Sequence, residues 1–335
     1  MQAYIIRRGA LSLLVLMGVS VVTFIISHII PGDPAAVIAG FDATPETIQA
    51  IREKYGLDRP LPEQYILYVR GLLSGDLGTS MSSLRPVASD LRQYLPATIE
   101  LTLGAAMISL VVGLPLGMVS ALRSNQPVDH VARVLSIFMA GAPVFWAGLI
   151  LQLVFFKWLH LLPATGRLDV GVAPPPRVTG LYTIDSLLIG DLGLFIDAVR
   201  HLILPSWVLS WSTLALLSRT LRSTMLEVTR KDYVRTAVSK GLTPRQVTLR
   251  HVLPNSLIPV VTLFGTSLCN LLAGAVVTET IFSFHGIGYY VYRAIVYLDV
   301  PSILGITTAI CVLFVLMSLV VDLMYPVLDP RIRYG

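Results

Sequence analysis

Few residues in this chain of 335 have the type and spacing that catalysis needs. It contains no His-Glu-x-x-His pair for a zinc site and no Gly-x4-Gly-Lys-Ser/Thr loop, so it is not expected to hydrolyse ATP by that route. No histidine is expected to pair with a buried serine or carboxylate at helical spacing. The six histidines are His28, His130, His160, His201, His251 and His285. We therefore expect a protein that is not an enzyme and has no cofactor or metal of its own.

The strongest signal is a basic segment, residues 232–255, between two apolar runs. Asp232 can accept hydrogen bonds from the first N–H groups of a helix, and Gly241 can take the left-handed conformation that ends it. Thr243 then opens a second short helix as N-cap, with proline at the next position and glutamine three residues on. The segment carries Arg235, Lys240, Arg245 and Arg250. The alternative is a solvated basic loop, but two capped helices joined by a glycine are more ordered, so we interpret the segment as a docking surface.

Composition places the chain in a membrane. Apolar residues make up 54% and charged residues 13%, whereas about 25% of residues are charged in typical soluble domains. The net charge of +5 could suggest nucleic acid, but the basic residues do not lie on an otherwise polar surface. Cys269 and Cys311 lie in apolar runs, so packing is expected of them rather than a disulfide or a metal site.

Six apolar runs reach the roughly 20 residues that a helix needs to cross a hydrocarbon layer of about 30 Å. They are residues 9–30, 97–122, 134–156, 202–221, 256–278 and 303–325. The first could be mistaken for a signal peptide because Arg7 and Arg8 precede it, but its apolar run is too long and no cleavage site follows. The predicted fold class is an all-α membrane protein with about six transmembrane helices.

Lysine and arginine counts predict the orientation. With a cytoplasmic N-terminus, 14 of these residues fall in 67 residues of inner segments and 11 fall in 134 residues of outer segments. Both termini and the basic segment are then cytoplasmic. Residues 31–96 and 157–201 are extracytoplasmic, too small and polar for independent domains, and are expected to fold over the outer mouth of the helix bundle.

The basic segment resembles the Glu-Ala-Ala loop in permease subunits of binding-protein-dependent ABC importers. The matching positions are Ala237, Gly241, Leu253 and Pro254. Arg235, Thr236 and His251 stand where the family has glutamate, alanine and isoleucine. The Arg-Thr-Ala form resembles the peptide and nickel branch of that family.

Motifs along nearly the whole chain look like the B-type permease subunit of dipeptide and oligopeptide importers. They include His28-x-x-Pro31-Gly-Asp33-Pro34, Tyr55-Gly56-Leu57-Asp58, Gly75-Asp76-Leu-Gly78, Pro96-Ala-Thr98, Thr278-Glu279-Thr280 and Asp322-Leu-Met-Tyr-Pro-Val-Leu-Asp329-Pro330. The resemblance implies that the chain consists of two parts. Residues 1–96 would be a first helix with an extracytoplasmic segment, and residues 97–335 would be a permease core with an insert at 157–201 and a coupling loop at 222–256.

The resemblance further implies a multi-pass protein of the bacterial inner membrane that forms half of a translocation pathway for peptides, with dipeptides as the favoured solute. A homologous second permease would form the other half, two ATP-binding subunits would hold ATP and magnesium, and an extracytoplasmic peptide-binding protein would deliver the ligand. Membrane lipid is a further partner, and nucleic acid is not. Contacts with the ATPase would come from Asp232, Tyr233, Arg235, Thr236, Ala237, Lys240, Gly241, Arg245, Leu253 and Pro254. The alternatives are transport of nickel or another small solute within the family and, outside it, an intramembrane enzyme or an ion-coupled secondary transporter.

Polar residues of the fifth span could line the pathway, namely Thr262, Thr266, Asn270 and Glu279. The alternative is helix packing, the commonest role of small and polar residues in membranes. Glu100, Glu279 and Asp322 lie near span ends, where hydration or helix capping is the alternative to a functional role. Around Gly113 and Gly117 the alternatives are close helix packing and a moving hinge.

Overall fold

The computed structural model describes the backbone of residues 2–29, 33–39, 43–54 and 56–328. This described part is helical, with no named β-strand. The helices are α1 (Gln2–Ile29), α2 (Pro34–Ala39), α3 (Pro45–Lys54), α4 (Leu61–Ser74), α5 (Val87–Leu122), α6 (Pro127–Gly141), α7 (Val144–Leu151), α8 (Tyr182–Leu188), α9 (Leu192–Thr229), α10 (Asp232–Ser239), α11 (Pro244–Val247), α12 (Leu253–Ile281), α13 (Ile287–Val296) and α14 (Val300–Leu328). A π-helical stretch, Gln152–Trp158, follows α7, and another, Thr248–Val252, joins α11 to α12.

Among the described residues, four helices are long and apolar enough to cross a membrane: Val87–Leu122, Leu192–Thr229, Pro244–Ile281 and Val300–Leu319. Pro127–Gly141 and Val144–Trp158 together make a fifth candidate, although the chain bends by 109° between them. The described residues of α1 also contain a shorter apolar helix, Leu13–Ile25. The described part of the chain is therefore that of a helical membrane protein with four or five candidate spans, and the count of six stays a prediction.

The third predicted span, residues 134–156, is wrong as a single straight helix. Helix α6 ends at Gly141, Ala142 is extended, and α7 begins at Val144 after Pro143. A residue before proline is disfavoured in the helical region, and proline has no N–H to donate within a helix. The bend therefore follows from the local sequence Gly-Ala-Pro.

Burial explains why the fourth predicted span, residues 202–221, has an unusually polar sequence. It lies within α9, whose buried polar side chains include Ser206, Ser210, Thr213 and Ser218. Ser210 Oγ donates a hydrogen bond to the Trp207 carbonyl oxygen at 2.7 Å, which satisfies the hydroxyl within the helix. Such residues can face other helices while the apolar side chains face lipid.

The chain divides into two compact units, residues 1–96 with 285–316, and residues 97–284 with a stretch that begins at 317. The apolar core of the first unit consists of Val87, Leu91, Ile287, Tyr290, Ala294 and Ile306. Asp299 is buried in this unit and accepts hydrogen bonds from Ser80 Oγ at 2.6 Å and Ser82 Oγ at 3.0 Å. Burial alone would raise the pKa of Asp299, but its hydrogen bonds to Ser80 and to backbone N–H groups hold the pKa below its ordinary value.

In the second unit, Gly113 and Gly117 bring α5 directly against α9. A Cβ atom at Gly117 would lie 2.6 Å from the Ser218 carbonyl oxygen, and one at Gly113 would lie 3.2 Å from the Leu214 carbonyl oxygen. These neighbours are backbone atoms, so rotation of a side chain could not make room. These distances agree with the close-packing interpretation. Helix α5 is continuous through both glycines, and the moving hinge stays a prediction.

Candidate functional site

The basic segment begins with helix α10, Asp232–Ser239. Lys231 is its N-cap residue, with an extended backbone, and no side chain caps the helix. The predicted capping role of Asp232 is therefore wrong. Asp232 is the first helical residue, its side chain is 95% exposed, and it lies 3.5 Å from Arg235. A carboxylate in the first turn still stabilises the helix through the helix dipole.

Gly241 ends α10 as predicted, with a φ of +82°. The Gly241 N–H donates to the Val238 carbonyl oxygen at 2.9 Å, and the Leu242 N–H donates to the Ala237 carbonyl oxygen at 3.4 Å. These two bonds form a Schellman motif, in which a left-handed residue satisfies the last carbonyl groups of a helix. The turn thus fixes the direction in which the chain leaves α10.

The predicted start of the second helix is confirmed. Thr243 Oγ1 accepts a hydrogen bond from the Gln246 N–H, and the Gln246 side chain accepts one from the Thr243 N–H at 3.0 Å, a complete capping box. Pro244 occupies the first turn, where a missing N–H costs nothing.

The second helix is not a separate short helix, however, and that part of the prediction is wrong. Helix α11 continues through the π-helical stretch Thr248–Val252 into α12, so that Pro244–Ile281 is one long helix. The Leu253 N–H reaches back to the Thr248 carbonyl oxygen, a wider turn than an α-helix makes. Because Pro254 cannot donate the next hydrogen bond, a widened turn at this point keeps the helix continuous. The basic segment is therefore continuous with the fifth predicted span.

One face of the basic segment is anchored in an apolar cluster. Val234, Ala237, Val247 and Val252 are buried there with Leu217, Leu221 and Met225 of α9 and Val260 of α12. The opposite face is open. Tyr233, Val238 and Leu249 are 45%, 58% and 45% exposed, and the Arg235 side chain is 75% exposed. An exposed apolar surface edged with basic residues is suited to protein docking.

An open cavity of about 400 Å³ adjoins this face. It is lined by Met118 and Leu122 of α5 and by Pro244, Arg245, Thr248 and Leu249. The predicted contact residues did not include the two α5 residues, Thr248 or Leu249. The signal for Leu122 was its position as the last apolar residue before a polar turn, but its proximity to the basic segment required the tertiary structure.

A buried ion pair ties α6 to α9 ten residues before the basic segment. Arg222 donates from Nε to Asp129 Oδ1 and from Nη2 to Asp129 Oδ2, both at 2.7 Å. Asp129 is fully buried, and it also accepts hydrogen bonds from Ser120 Oγ at 2.5 Å and the Asn125 N–H at 2.9 Å. One carboxylate thus joins the end of α5, the turn that follows it, the start of α6 and α9. Sequence reasoning did not identify this pair, since its members are 93 residues apart.

In the same unit, Glu100 of α5 binds residues of the insert, residues 157–201. Glu100 Oε2 lies 2.6 Å from Arg167 Nη2, and Oε1 accepts hydrogen bonds from the Thr183 N–H at 2.8 Å and from Thr183 Oγ1 at 2.7 Å. The Arg167 guanidinium also lies 3.5 Å above the Tyr182 ring. Glu100 is buried, so it is not hydrated. Its charge is balanced by the insert, where it also caps the first turn of α8 through the Thr183 N–H.

The candidate pathway residues of α12 differ in exposure. Thr262 is half-buried, Thr266 and Asn270 are exposed one helical turn apart, and Glu279 is fully buried. Thr98 Oγ1 donates a hydrogen bond to Glu279 Oε1 at 2.5 Å. Glu279 is therefore held inside the chain rather than hydrated. The side chain of Asp322 lies outside the described residues, and the pathway role of the α12 residues stays a prediction.

One histidine departs from the sequence expectation. His201 pairs with Asp197 four residues earlier on α9, with Nδ1 3.1 Å from the carboxylate. The His201 side chain is 2% exposed and that of Asp197 is 15% exposed. The prediction that no histidine makes such a pair at helical spacing is therefore wrong, and the Asp-x-x-x-His spacing was the available signal.

Comparison with known proteins accounts for this architecture. Residues 113–334 match the family described as binding-protein-dependent transport system inner membrane component, and residues 1–102 match the N-terminal family of the same membrane components. The chain is 45% identical to the probable D,D-dipeptide transport system permease protein DdpB of Escherichia coli (strain K12), over 96% of this chain and 95% of that protein. It is 42% identical to the dipeptide transport system permease protein DppB of Alkalihalophilus pseudofirmus, over the full length of both. It is 40% identical to DppB of Escherichia coli (strain K12), over 100% and 99%.

These matches span the described helices and the basic segment together. The first family covers well over half of the chain, and each relative aligns over nearly its whole length. The apolar helices agree with a multi-pass protein of the inner membrane. The matched family consists of transport components, not of enzymes. The chain belongs to the family of binding-protein-dependent transport system inner membrane components.

Proposed function

We propose that this chain is the permease subunit of a peptide importer, most directly of dipeptides, driven by ATP hydrolysis on partner subunits. The observation that carries the proposal is the basic segment. Its connection from Gly241 to Thr243 is fixed by hydrogen bonds, one face is anchored and the other is open, and it continues directly into α12. The names of the full-length relatives support peptides as the solute.

In this proposal the basic segment is cytoplasmic and docks to an ATP-binding subunit. Tyr233, Val238 and Leu249 supply apolar contact, Arg235 and Arg245 supply charge, and the cavity beside Leu122 receives a side chain of the ATPase. Closure of two ATPases moves the segment as a rigid body, because its buried face is packed on α9 and α12. The movement then shifts the membrane helices between inward-open and outward-open states.

The remaining partners follow from the same arrangement. A homologous second permease covers the exposed face of α12 that carries Thr266 and Asn270, and the peptide passes between the two subunits. Residues 31–96 are extracytoplasmic. The insert of residues 157–201 is extracytoplasmic as well and offers a seat for a peptide-binding protein. The protein has six spans with both termini in the cytoplasm, and the bent pair Pro127–Gly141 and Val144–Trp158 is one of them.

Reconstitution of the complex tests the proposed function. Proteoliposomes containing this chain, the second permease and both ATPases are supplied with binding protein outside and ATP inside. We expect accumulation of labelled dipeptide that stops when the phosphate-loop lysine of the ATPases is replaced. Accumulation of nickel instead of peptide, or uptake driven by an ion gradient without ATP, would contradict the proposal.

Cysteine labelling tests the orientation. In a variant without Cys269 and Cys311, a membrane-impermeant maleimide is expected to label Val170→Cys in intact spheroplasts, since Val170 is fully exposed in the insert. Ser239→Cys, in the basic segment, should react only after lysis, because α10 is cytoplasmic in this proposal. Labelling of Ser239→Cys in intact spheroplasts would reverse the orientation.

A further inference from the structure

Two carboxylates and a histidine converge where the insert of residues 157–201 meets α9. Asp169 lies in the non-helical part of the insert, and Asp197 and His201 lie one turn apart at the start of α9, where the insert ends. One potential ligand atom from each of the three lies within 4.8 Å of the others. Imidazole nitrogen and carboxylate oxygen are ligands that zinc and its neighbours in the first transition row prefer.

The His201 ring is held in one orientation. Its Nδ1 lies 3.0 Å from the Asp197 carbonyl oxygen and 3.1 Å from Asp197 Oδ1, so Nδ1 carries the proton and donates it. In the neutral ring, the other nitrogen, Nε2, presents its electron pair. An outer carboxylate or carbonyl that accepts from one ring nitrogen while the other binds metal is the usual arrangement of metal-binding histidines.

The distances suit a metal better than a direct contact. His201 Nε2 lies 3.7 Å from Asp169 Oδ1, which is too long for a hydrogen bond. Ligands of a tetrahedral zinc, each roughly 2.0–2.1 Å from the ion, lie about 3.4 Å apart. The Asp169 N–H donates to Asp197 Oδ2 at 2.9 Å, which keeps Asp169 beside α9 although its side chain is 64% exposed.

A cavity of about 260 Å³ borders this cluster. Asp169 and Asp197 line it together with a second histidine, His160, and with Arg200. Arg200 donates a hydrogen bond to the Leu161 carbonyl oxygen at 3.1 Å. Two carboxylates outweigh this single cation, so the cavity keeps a net negative charge, and it offers room for a water molecule or the His160 imidazole as a further ligand.

We propose that Asp169 and His201 bind one divalent cation of the first transition row, with Zn²⁺ the best fit, and that Asp197 is the outer carboxylate that orients His201. The ion would tie the Asp169 loop of the insert to α9. The site revises the sequence expectation that the chain holds no metal. It does not depend on the proposed peptide transport, because metal binding can be measured in the purified chain alone.

The test is Zn²⁺ titration of the metal-free, detergent-purified chain against a chromophoric chelator. We expect one Zn²⁺ per wild-type chain and a loss of affinity of at least tenfold in His201→Gln. Asp169→Asn should lose affinity similarly, and because Asp169 is largely exposed this variant keeps the test valid if His201→Gln fails to fold. Matched controls are His130→Gln, an exposed histidine elsewhere in the unit, and Asp191→Asn, an N-cap carboxylate of α9 outside the cavity.

Two further readouts separate a built site from scattered surface binding. Zn²⁺ should raise the thermal midpoint of the wild-type chain and of both controls but not of His201→Gln or Asp169→Asn, since a ligand stabilises only the state that binds it. Co²⁺ should give visible absorption bands of a low-coordinate site in the same three proteins. Absence of stoichiometric binding to the wild type, or equal affinity in His201→Gln and Asp169→Asn to that of the wild type, would overturn the proposal.

Discussion

Replacement of Gly241 by valine is expected to abolish peptide-stimulated ATP hydrolysis by the assembled transporter while membrane insertion is retained. Gly241 has a φ of +82°, and a Cβ atom there would meet nothing within 4 Å, so the penalty comes from the backbone and not from a clash. A residue with a side chain pays about 1–2 kcal/mol in this conformation, and a β-branched residue pays more. The Schellman bonds of Gly241 and Leu242 would open, and α10 would lose its fixed direction. We expect stimulation to fall at least about tenfold, the factor that 1.4 kcal/mol represents.

The chain provides a matched control in Gly190, which follows α8. It has a φ of +74°, it has nothing within 4 Å of a Cβ position, and its N–H and that of Asp191 make the same pair of bonds back to α8. Gly190→Val should therefore lose similar stability but keep peptide-stimulated hydrolysis. Gly241→Asn should retain most of the peptide-stimulated hydrolysis, because asparagine tolerates the left-handed region. Equal loss in Gly190→Val and Gly241→Val, or unchanged stimulation in Gly241→Val, would remove the coupling role of the basic segment.

Removal of the Asp129 carboxylate is expected to destabilise the chain severely. Asp129→Ala leaves the Arg222 guanidinium, 20% exposed, without its partner and also removes the acceptor for Ser120 and Asn125. Breaking a buried pair from one side costs about 3–5 kcal/mol, because the remaining charge stays desolvated. Thermal unfolding in detergent, followed by tryptophan fluorescence, measures the effect. Coupled ATP hydrolysis should fall as well, since Arg222 lies on α9 close to the basic segment.

The control for Asp129 is an exposed ion pair nearby. Lys231 Nζ lies 2.9 Å from Glu227 Oε1, with side chains 52% and 69% exposed. An exposed pair contributes about 0–1 kcal/mol, so Glu227→Gln should shift the unfolding midpoint little. The double variant Asp129→Leu with Arg222→Met should recover much of the stability, because an apolar pair avoids desolvation of charge. A loss of less than about 1 kcal/mol in Asp129→Ala would contradict the anchoring role of this carboxylate.

Local rules were sufficient where neighbouring residues determine the conformation. Thr243 and Gln246 form the predicted capping box, and Gly241 takes the predicted left-handed conformation, since both depend on backbone groups a few residues away. Pro143 was a local signal for a bend, but the long apolar run around it led to the prediction of one continuous span. The apolar run of residues 134–156 continues through it, whereas the backbone bends there.

Long-range pairs were beyond sequence reasoning. Asp129 and Arg222 are 93 residues apart, and Glu100 and Arg167 are 67 apart. A single sequence does not state which charges become neighbours, because that depends on how whole helices pack. Helix packing also determines that Thr266 and Asn270 are exposed while Glu279, on the same helix, is buried.

The sequence by itself determined that this is a helical membrane protein, because hydrophobic run length is a property of the chain alone, and its motifs resembled those of importer permeases. It also determined that the basic segment is ordered, since capping is local. Only the tertiary structure decided that this segment is continuous with α12, is packed on α9, and lies near a buried Asp129–Arg222 pair. It alone placed Asp169 beside His201. These features depend on which surfaces are buried against each other, and that is determined by packing between helices that are distant in sequence.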